Sequence, residues 1–220
     1  MPSILAHNVT RVTHFLHTGC KFLAVEEFVS RQTDGRARRS ERTRAAIVDA
    51  HARLLRNGEL RPSAKQIAQE AGVSVRTLWG SFGDMENLFA ETVAYWFASD
   101  DALVEPIDAD QPLDDRITQF CAGRERRLLN IAPAARAALL LEPVSPTLRA
   151  SRAGHINRVR NELERVFADE LEESDHRDAL LDALTVAASW NAWSLLHDDH
   201  ERDAAACRAA MELTLRALLT

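Results

Sequence analysis

The sharpest alternation of apolar and polar positions in the chain lies at 63–82, SAKQIAQEAGVSVRTLWGSF. Ile67, Ala68 and Ala71 form one apolar side at helical spacing, and the two alanines let a second helix approach closely. Ser63 is placed to N-cap this helix, and Gln66 at its third position can bond back to the cap's own amide, which makes a capping box. Gly72 stands where a C-terminal cap calls for positive φ, and Val73 can plug the turn into the core. Ser74 caps a second helix whose Leu78 and Phe82, four apart, point inward. Val75, Arg76, Thr77, Trp79 and Ser81 are left to face outward. The pattern predicts two short helices joined by a tight turn.

Ahead of this pair, Ser40 is expected to cap a helix over 41–56, with Ala46, Ile47, Ala50 and Leu54 as its inward stripe and Gly58 as its stop. After Phe82, the turn Gly83-Asp84 starts a fourth helix. Asp84 can cap it, Glu86 suits its positive end, and Leu88, Phe89, Val93, Trp96 and Phe97 are its apolar positions. Further helices are expected at 113–131, 133–141, 147–172, 176–197 and 201–219, with Pro106, Pro112, Pro133, Pro143 and Pro146 in or near the breaks. Alternating β-branched runs are missing, so no strand is predicted. The expected fold is all-α: an extension and basic arm at 1–39, a three-helix head with its linking helix at 40–98, and a helical second domain at 99–220.

With 220 residues and 46% hydrophobic content the chain can bury a sizeable core. No apolar run approaches a membrane span, so a soluble protein without membrane contact is expected. The formal net charge of -6 is unevenly spread: residues 36–98 hold ten basic and seven acidic side chains. A basic head on an acidic body suits a protein that sets one face on phosphate and keeps the rest away. Cys20, Cys121 and Cys207 are far apart and odd in number, so no disulfide framework is expected and a reducing cytoplasm is the natural setting. A redox-sensing pair is the alternative to plain buried thiols.

Residues 1–35 lack the basic start of a signal peptide. His14, His17 and Cys20 recur at steps of three, as metal ligands on one helical face or as scattered residues on an accessory helix or ahead of the true start. The basic run TDGRARR at 33–39 reads as a flexible arm, either entering a minor groove or serving as a solvated linker. His197-Asp198-Asp199-His200 reads as a solvated turn. No metal and no cofactor is expected.

The run IAQEAGVSVRTLWGSFGDMENLF at 67–89 resembles the helix-turn-helix of the TetR family of bacterial transcriptional regulators, whose pattern is IA-x-x-AGVS-x-x-TLY-x-x-F. Ile67, Ala68, 71–74, Thr77, Leu78, Phe82, Glu86 and Leu88 carry the match. The resemblance implies a dimeric, sequence-specific reader of a double-stranded DNA operator, most simply a repressor released by a small-molecule effector, and not an enzyme. In such a reader Arg76 is the best base contact, since a guanidinium matches guanine O6 and N7. Ser74 and Thr77 reach phosphate or a base edge, and Val75 can meet a thymine methyl. Arg44, Ser63 and Lys65 are candidate phosphate clamps. Three positions depart from the family: Trp79 replaces the usual Tyr, Arg76 and Ser81 replace a small residue and an aromatic, and Met85 replaces a Lys.

The family's helix after Asp84 links head to body, and its body holds the effector. Trp96, Phe97, Phe120, Cys121, Arg124, Leu128 and Trp190 are the candidate walls. Arg124 and Arg127 either favour an anionic ligand or are simply exposed. The helices at 176–197 and 201–219 resemble the family's dimer pair, through Leu180, Leu181, Leu184, Ala187, Ala188, Asn191 and Leu195 on one and Ala206, Ala210, Leu213, Ala217 and Leu218 on the other. They also suit an intramolecular core. Two other readings use the same residues: an all-α metal-dependent hydrolase built on His155, His176, His197 and Asp198, whose ligands lack short regular spacing, and a protein-binding adaptor.

Overall fold

A computed structural model of the chain describes the backbone of residues 22–220 and the side chains of 35–220. The expectations for His14, His17 and Cys20 lie outside the described residues. The chain divides into two compact units, Met1–Thr43 and Arg44–Thr220.

The first helix, α1, runs unbroken over Phe22–Arg56. This corrects two expectations: 33–39 is helical rather than a flexible arm, and Ser40 lies inside a helix rather than capping one. Alanine, glutamate, glutamine and arginine are good helix formers, and Gly35 alone opposes them by about 1 kcal/mol. The end of α1 is as expected, with Gly58 at φ 88°.

In the second unit the last turns of α1 pack on α2 (Ala64–Glu70) and α3 (Val75–Phe82). Their core is Ile47, Val48, Ile67, Ala68, Leu78, Phe82 and Leu88. Each large apolar side chain buried there is worth about 1.5–3 kcal/mol. The inward stripe of α1 is rotated from the expected one: Ala46 is exposed and Leu54 half-buried, while Val48, His51 and Leu55 are buried. The capping box forms, with the Ser63 amide donating to Gln66 Oε1 at 2.9 Å and the Gln66 amide to Ser63 Oγ at 3.3 Å. Gly72 turns the chain at φ 67°.

Helix α4 (Met85–Asp101), capped by Asp84, leads into the body. The body consists of α5 (Leu113–Leu141), α6 (Pro146–Val166), α7 (Ala168–Glu173), α8 (Arg177–Ala187), α9 (Trp190–Ser194), a π-helical turn (Leu195–Asp199) and α10 (Ala204–Leu219). No strand occurs among the described residues.

Three boundaries differ from expectation. Helix α5 continues through Pro133; a proline inside a helix loses a rung and costs about 3 kcal/mol, but Ile131, Ala132 and Ala137 on either side are buried and hold the register. The helix expected over 147–172 breaks at Phe167, whose fully buried ring meets Phe120 edge-on at 5.7 Å. The helix expected over 176–197 breaks after Ala187, where Ser189 N-caps α9.

Ion pairs fasten the body from inside. Arg127 on α5 bonds Asp100 of α4 through Nε at 3.1 Å and Nη2 at 2.9 Å, and Glu162 of α6 at 2.5 Å. Arg116 joins Glu170 of α7 at 2.5 and 2.9 Å and the Val166 carbonyl at 2.7 Å. Arg124 and Arg127, 1% and 3% exposed, are therefore buried and not surface arginines.

The turn at Gly72 supports a direct test. A left-handed backbone disfavours a Cβ by about 1–2 kcal/mol, and space around Gly72 is otherwise open. Gly72→Ala is expected to lower stability by about that amount, a fall of about 2–8 °C in thermal midpoint by calorimetry. An unchanged midpoint would show that the turn adapts.

Candidate nucleic-acid interface and internal cavity

Helix α3 presents its first turn outward. Ser74 caps it, accepting from the Thr77 amide at 3.0 Å and sharing a 2.8 Å bond with the Thr77 hydroxyl. Ser74, Val75, Arg76 and Thr77 are exposed, as are Ser63 and Lys65 at the start of α2. Neither Arg76 nor Lys65 has a hydrogen-bond or ion-pair partner among the described residues. A cation, hydroxyls and an apolar contact group on one projecting helix end are what a DNA groove and its phosphates accept.

Three of the sequence-predicted contacts are placed differently. Arg44 is not a free phosphate clamp: it donates to the Ser81 carbonyl, pairs with Glu91, and lies 4.5 Å over the Phe82 ring. It fixes the C-terminal end of α3. Trp79 is half-buried against the head's core, so its larger ring serves packing as well as surface. The Ser81 hydroxyl is turned back to the Thr77 carbonyl at 2.9 Å.

Head and body are joined by direct bonds that sequence reasoning missed. Glu86, at the start of α4, accepts from Ser145 Oγ at 3.1 Å and the Thr147 amide at 3.2 Å. Burial opposes its charge, yet these bonds from Thr147 and Ser145 hold its carboxyl below the usual range. Arg61 donates to the Leu140 carbonyl at 3.1 Å. Inside, His51 of α1 bonds Thr92 of α4 at 2.9 Å. A polar residue on an otherwise apolar helical face is the only signal that could have marked His51 and Thr92.

Behind these bonds lies a cavity of about 390 Å³, within the size range of small-molecule sites. Helix α4 supplies Phe89, Trp96 and Phe97 to its walls, α5 supplies Arg124, α6 supplies His155, and α9 supplies Trp190. Trp96, Phe97, Arg124 and Trp190 were expected there. Phe120, Cys121 and Leu128 are not among its walls; they lie fully buried in the body core. Burial pushes the Cys121 thiol up to about 12, away from thiolate chemistry, and Cys121 and Cys207 are both free.

The other candidate groups do not converge. His197 stacks on Trp193 and bonds Asp198, and Asp198 is paired with Arg136, whose bond holds its carboxyl low. His155 faces the cavity instead. Among the described residues no three His, Cys, Asp or Glu side chains are grouped to hold a metal ion.

A helix-turn-helix head on an all-helical body defines the structural class. No protein-family model and no curated protein matches the chain. Among solved structures, it is similar to a transcriptional regulator from Rhodococcus sp. Rha1, with TM-score 0.63 and 16% identity over 82% of this chain and 95% of that one. A second similarity, to a protein assigned to the TetR family of regulators from Mesorhizobium loti MAFF303099, has TM-score 0.44 and 17% identity over 82% and 96%; at that score it adds nothing to the first. With the motif at 67–89, the Rhodococcus likeness gives this chain a TetR-like fold.

A buried histidine, His51, and a half-buried one, His155, make stability depend on pH. Burial lowers His51, and likewise His155, from 6.5 to about 4. Both are therefore neutral when folded at pH 7, while the unfolded chain takes up their protons below about 6.5. Their contribution is complete above that pH and is lost as pH falls towards 4. Chemical denaturation is expected to show stability falling from pH 7 to pH 4, with a shallower fall in His51→Phe.

Proposed function

We propose that the chain is a dimeric, sequence-specific DNA-binding regulator of transcription, released from a palindromic operator by a small molecule held in the cavity. The observation that carries this reading is the unpartnered face of α3, where Arg76 stands beside Ser74, Val75 and Thr77 on a helix seated by Arg44 and Phe82. Arg76 serves as the base reader, and Ser63 and Lys65 bind phosphate. The role follows the fold's likeness to a known regulator and requires no catalytic residue. A regulator of this kind works in the cytoplasm, and no described helix is long and apolar enough to cross a membrane.

The dimer reading rests on exposed apolar groups at the C-terminal end of the chain. Val186 is 66% exposed and Leu213 68%, with Leu195 and Leu218 also at the surface. Leu181, Leu184 and Ala188, expected in the same surface, are instead fully buried within the body. The pairing face is therefore the outer side of α8 and α10. A twofold pair presents two α3 helices to half-sites about 34–36 Å apart or a multiple of that. Release follows from the cavity's position: a ligand against Phe89, Trp96 and Phe97 presses on α4, which begins three residues after α3 ends. It favours the conformer to which it binds better, and so shifts DNA affinity.

A gel shift on DNA from the gene's own upstream region tests the reading: a retained palindrome at moderate salt is expected, and none retained would remove it. Arg76→Ala is expected to weaken specific binding by about 1–3 kcal/mol and relax one operator position. Equal loss on random DNA would move Arg76 to the phosphate-binding class. Leu213→Glu is expected to yield monomers in analytical ultracentrifugation and to abolish binding to the full palindrome; an intact dimer would place the interface elsewhere.

A further inference from the structure

The cavity's walls are mostly apolar, and most of their polar groups are occupied. Arg61 is bonded to the Leu140 carbonyl, Arg152 to Glu142 and Asn191, and His51 to Thr92. Four wall residues are exceptions. Arg124 Nη1, His155 Nε2, Trp96 Nε1 and Trp190 Nε1 are buried and lack a hydrogen-bond partner among the described residues. Three of these atoms are obligate donors, and neutral His155 donates from Nε2 in one tautomer. Leaving such donors unmet is costly, more so for a charged one.

Arg124 is the centre of the group. It is 1% exposed. The break between α8 and α9 frees the Ala188 carbonyl, which accepts from Arg124 Nε at 3.2 Å and Nη2 at 2.9 Å. Among the described residues no carboxylate touches the guanidinium, unlike that of neighbouring Arg127, which is shared by Asp100 and Glu162. Burial pulls Arg124 down only to about 10, so it stays charged at neutral pH.

We infer that the cavity is built for a largely apolar monocarboxylate, its carboxylate on Arg124 Nη1 with His155 Nε2 as second donor and its body among the rings of Phe89, Trp96 and Phe97. A carboxylate supplies acceptors for Arg124 Nη1 and His155 Nε2 and the countercharge that Arg124 lacks. A cationic ligand finds no free carboxylate, since Glu142 is paired with Arg152. A doubly charged anion meets one buried cation, since Arg61 is exposed and Arg152 is paired with Glu142, and Asp100 and Glu162 lie close behind that cation. A neutral lipid leaves the guanidinium unmatched. This assignment rests on the effector reading of the cavity and deepens it.

The test is calorimetric titration of the full-length protein without DNA. The probes are straight-chain and phenyl-terminated monocarboxylates with their matching primary alcohols and amines. At least one acid is expected to bind about tenfold or more tighter than its alcohol and amine. Arg124→Met is expected to erase that preference while alcohol binding persists, and Trp190→Phe, which keeps an aromatic ring and loses the N–H, to weaken acid binding less. If Arg124→Met does not fold, the probe series on the unmodified protein decides alone. Alcohols or amines that bind as well as the acids, or acids that do not bind, overturn the inference. Operator release is read separately by gel shift. Acids that bind without releasing DNA leave the carboxylate site standing and remove the effector reading; release by other compounds, with no acid bound, does the reverse.

Discussion

The body depends on one carboxylate that has left water entirely. Asp100, at 0% exposure, sits at the end of α4 and is held by Arg127 of α5, which also grips Glu162 of α6. Taking such charges out of water costs several kcal/mol per ion, and removing one partner of such a pair costs about 3–5 kcal/mol. Burial works against the charge on Arg127, yet Asp100 and Glu162 outweigh it and hold its pKa above the ordinary value. The gain is less in stability than in definition: three helices meet at one bidentate geometry, and α4 has a fixed far end. Arg158 reinforces it, pairing with Asp101 and approaching Asp100 at 3.9 Å.

With that end fixed, the other end of α4 is where motion can be exchanged with the reading head. Glu86 is tied to Ser145 and Thr147 at the start of α6, and Arg61 to the end of α5. His51 and Thr92 bridge α1 and α4 midway. These are single hydrogen bonds, each worth about 0.5–1.5 kcal/mol net, or up to about 3 with a charged partner. The ion group at Asp100 is stronger than any of them. On the proposed reading, a ligand held between the two sets displaces the head end before the body end.

The head was the most legible part of the chain because its chemistry is local. Ser63, Gln66, Gly72, Ser74 and Asp84 act on neighbours within four residues, and caps and turns of that range can be read from spacing. Arg44 was misread because its partners, Ser81 and Glu91, are 37 and 47 residues away, and nothing in a run of basic residues says which one folds back. The helical run at 33–39 was misread from composition: its polar and basic residues suggested a flexible arm, while its arginines and alanine favour a helix. In the body, helix existence followed from periodicity. Its breaks did not, since Phe167 and Ala188 interrupt helices for tertiary reasons: a ring placed on Phe120, a carbonyl offered to Arg124. Phe120 and Leu128 share the helical face of Arg124, and periodicity alone cannot say which stretch of that face lines the cavity and which packs into the core.

Arg124 and Arg127 show why that distinction matters. They stand three apart on α5, one turn from each other, and are equally buried. One is saturated by two acids, and its removal would expose a stranded Asp100. The other is held by a single carbonyl at a helix end, whose partial negative charge steadies a cation without neutralising it. A protein selected for stability alone would have little reason to keep the second, because an apolar residue of similar volume would avoid the cost of its unmet donor. The same helix thus carries one guanidinium that makes the scaffold and one whose charge remains to be answered from within the cavity.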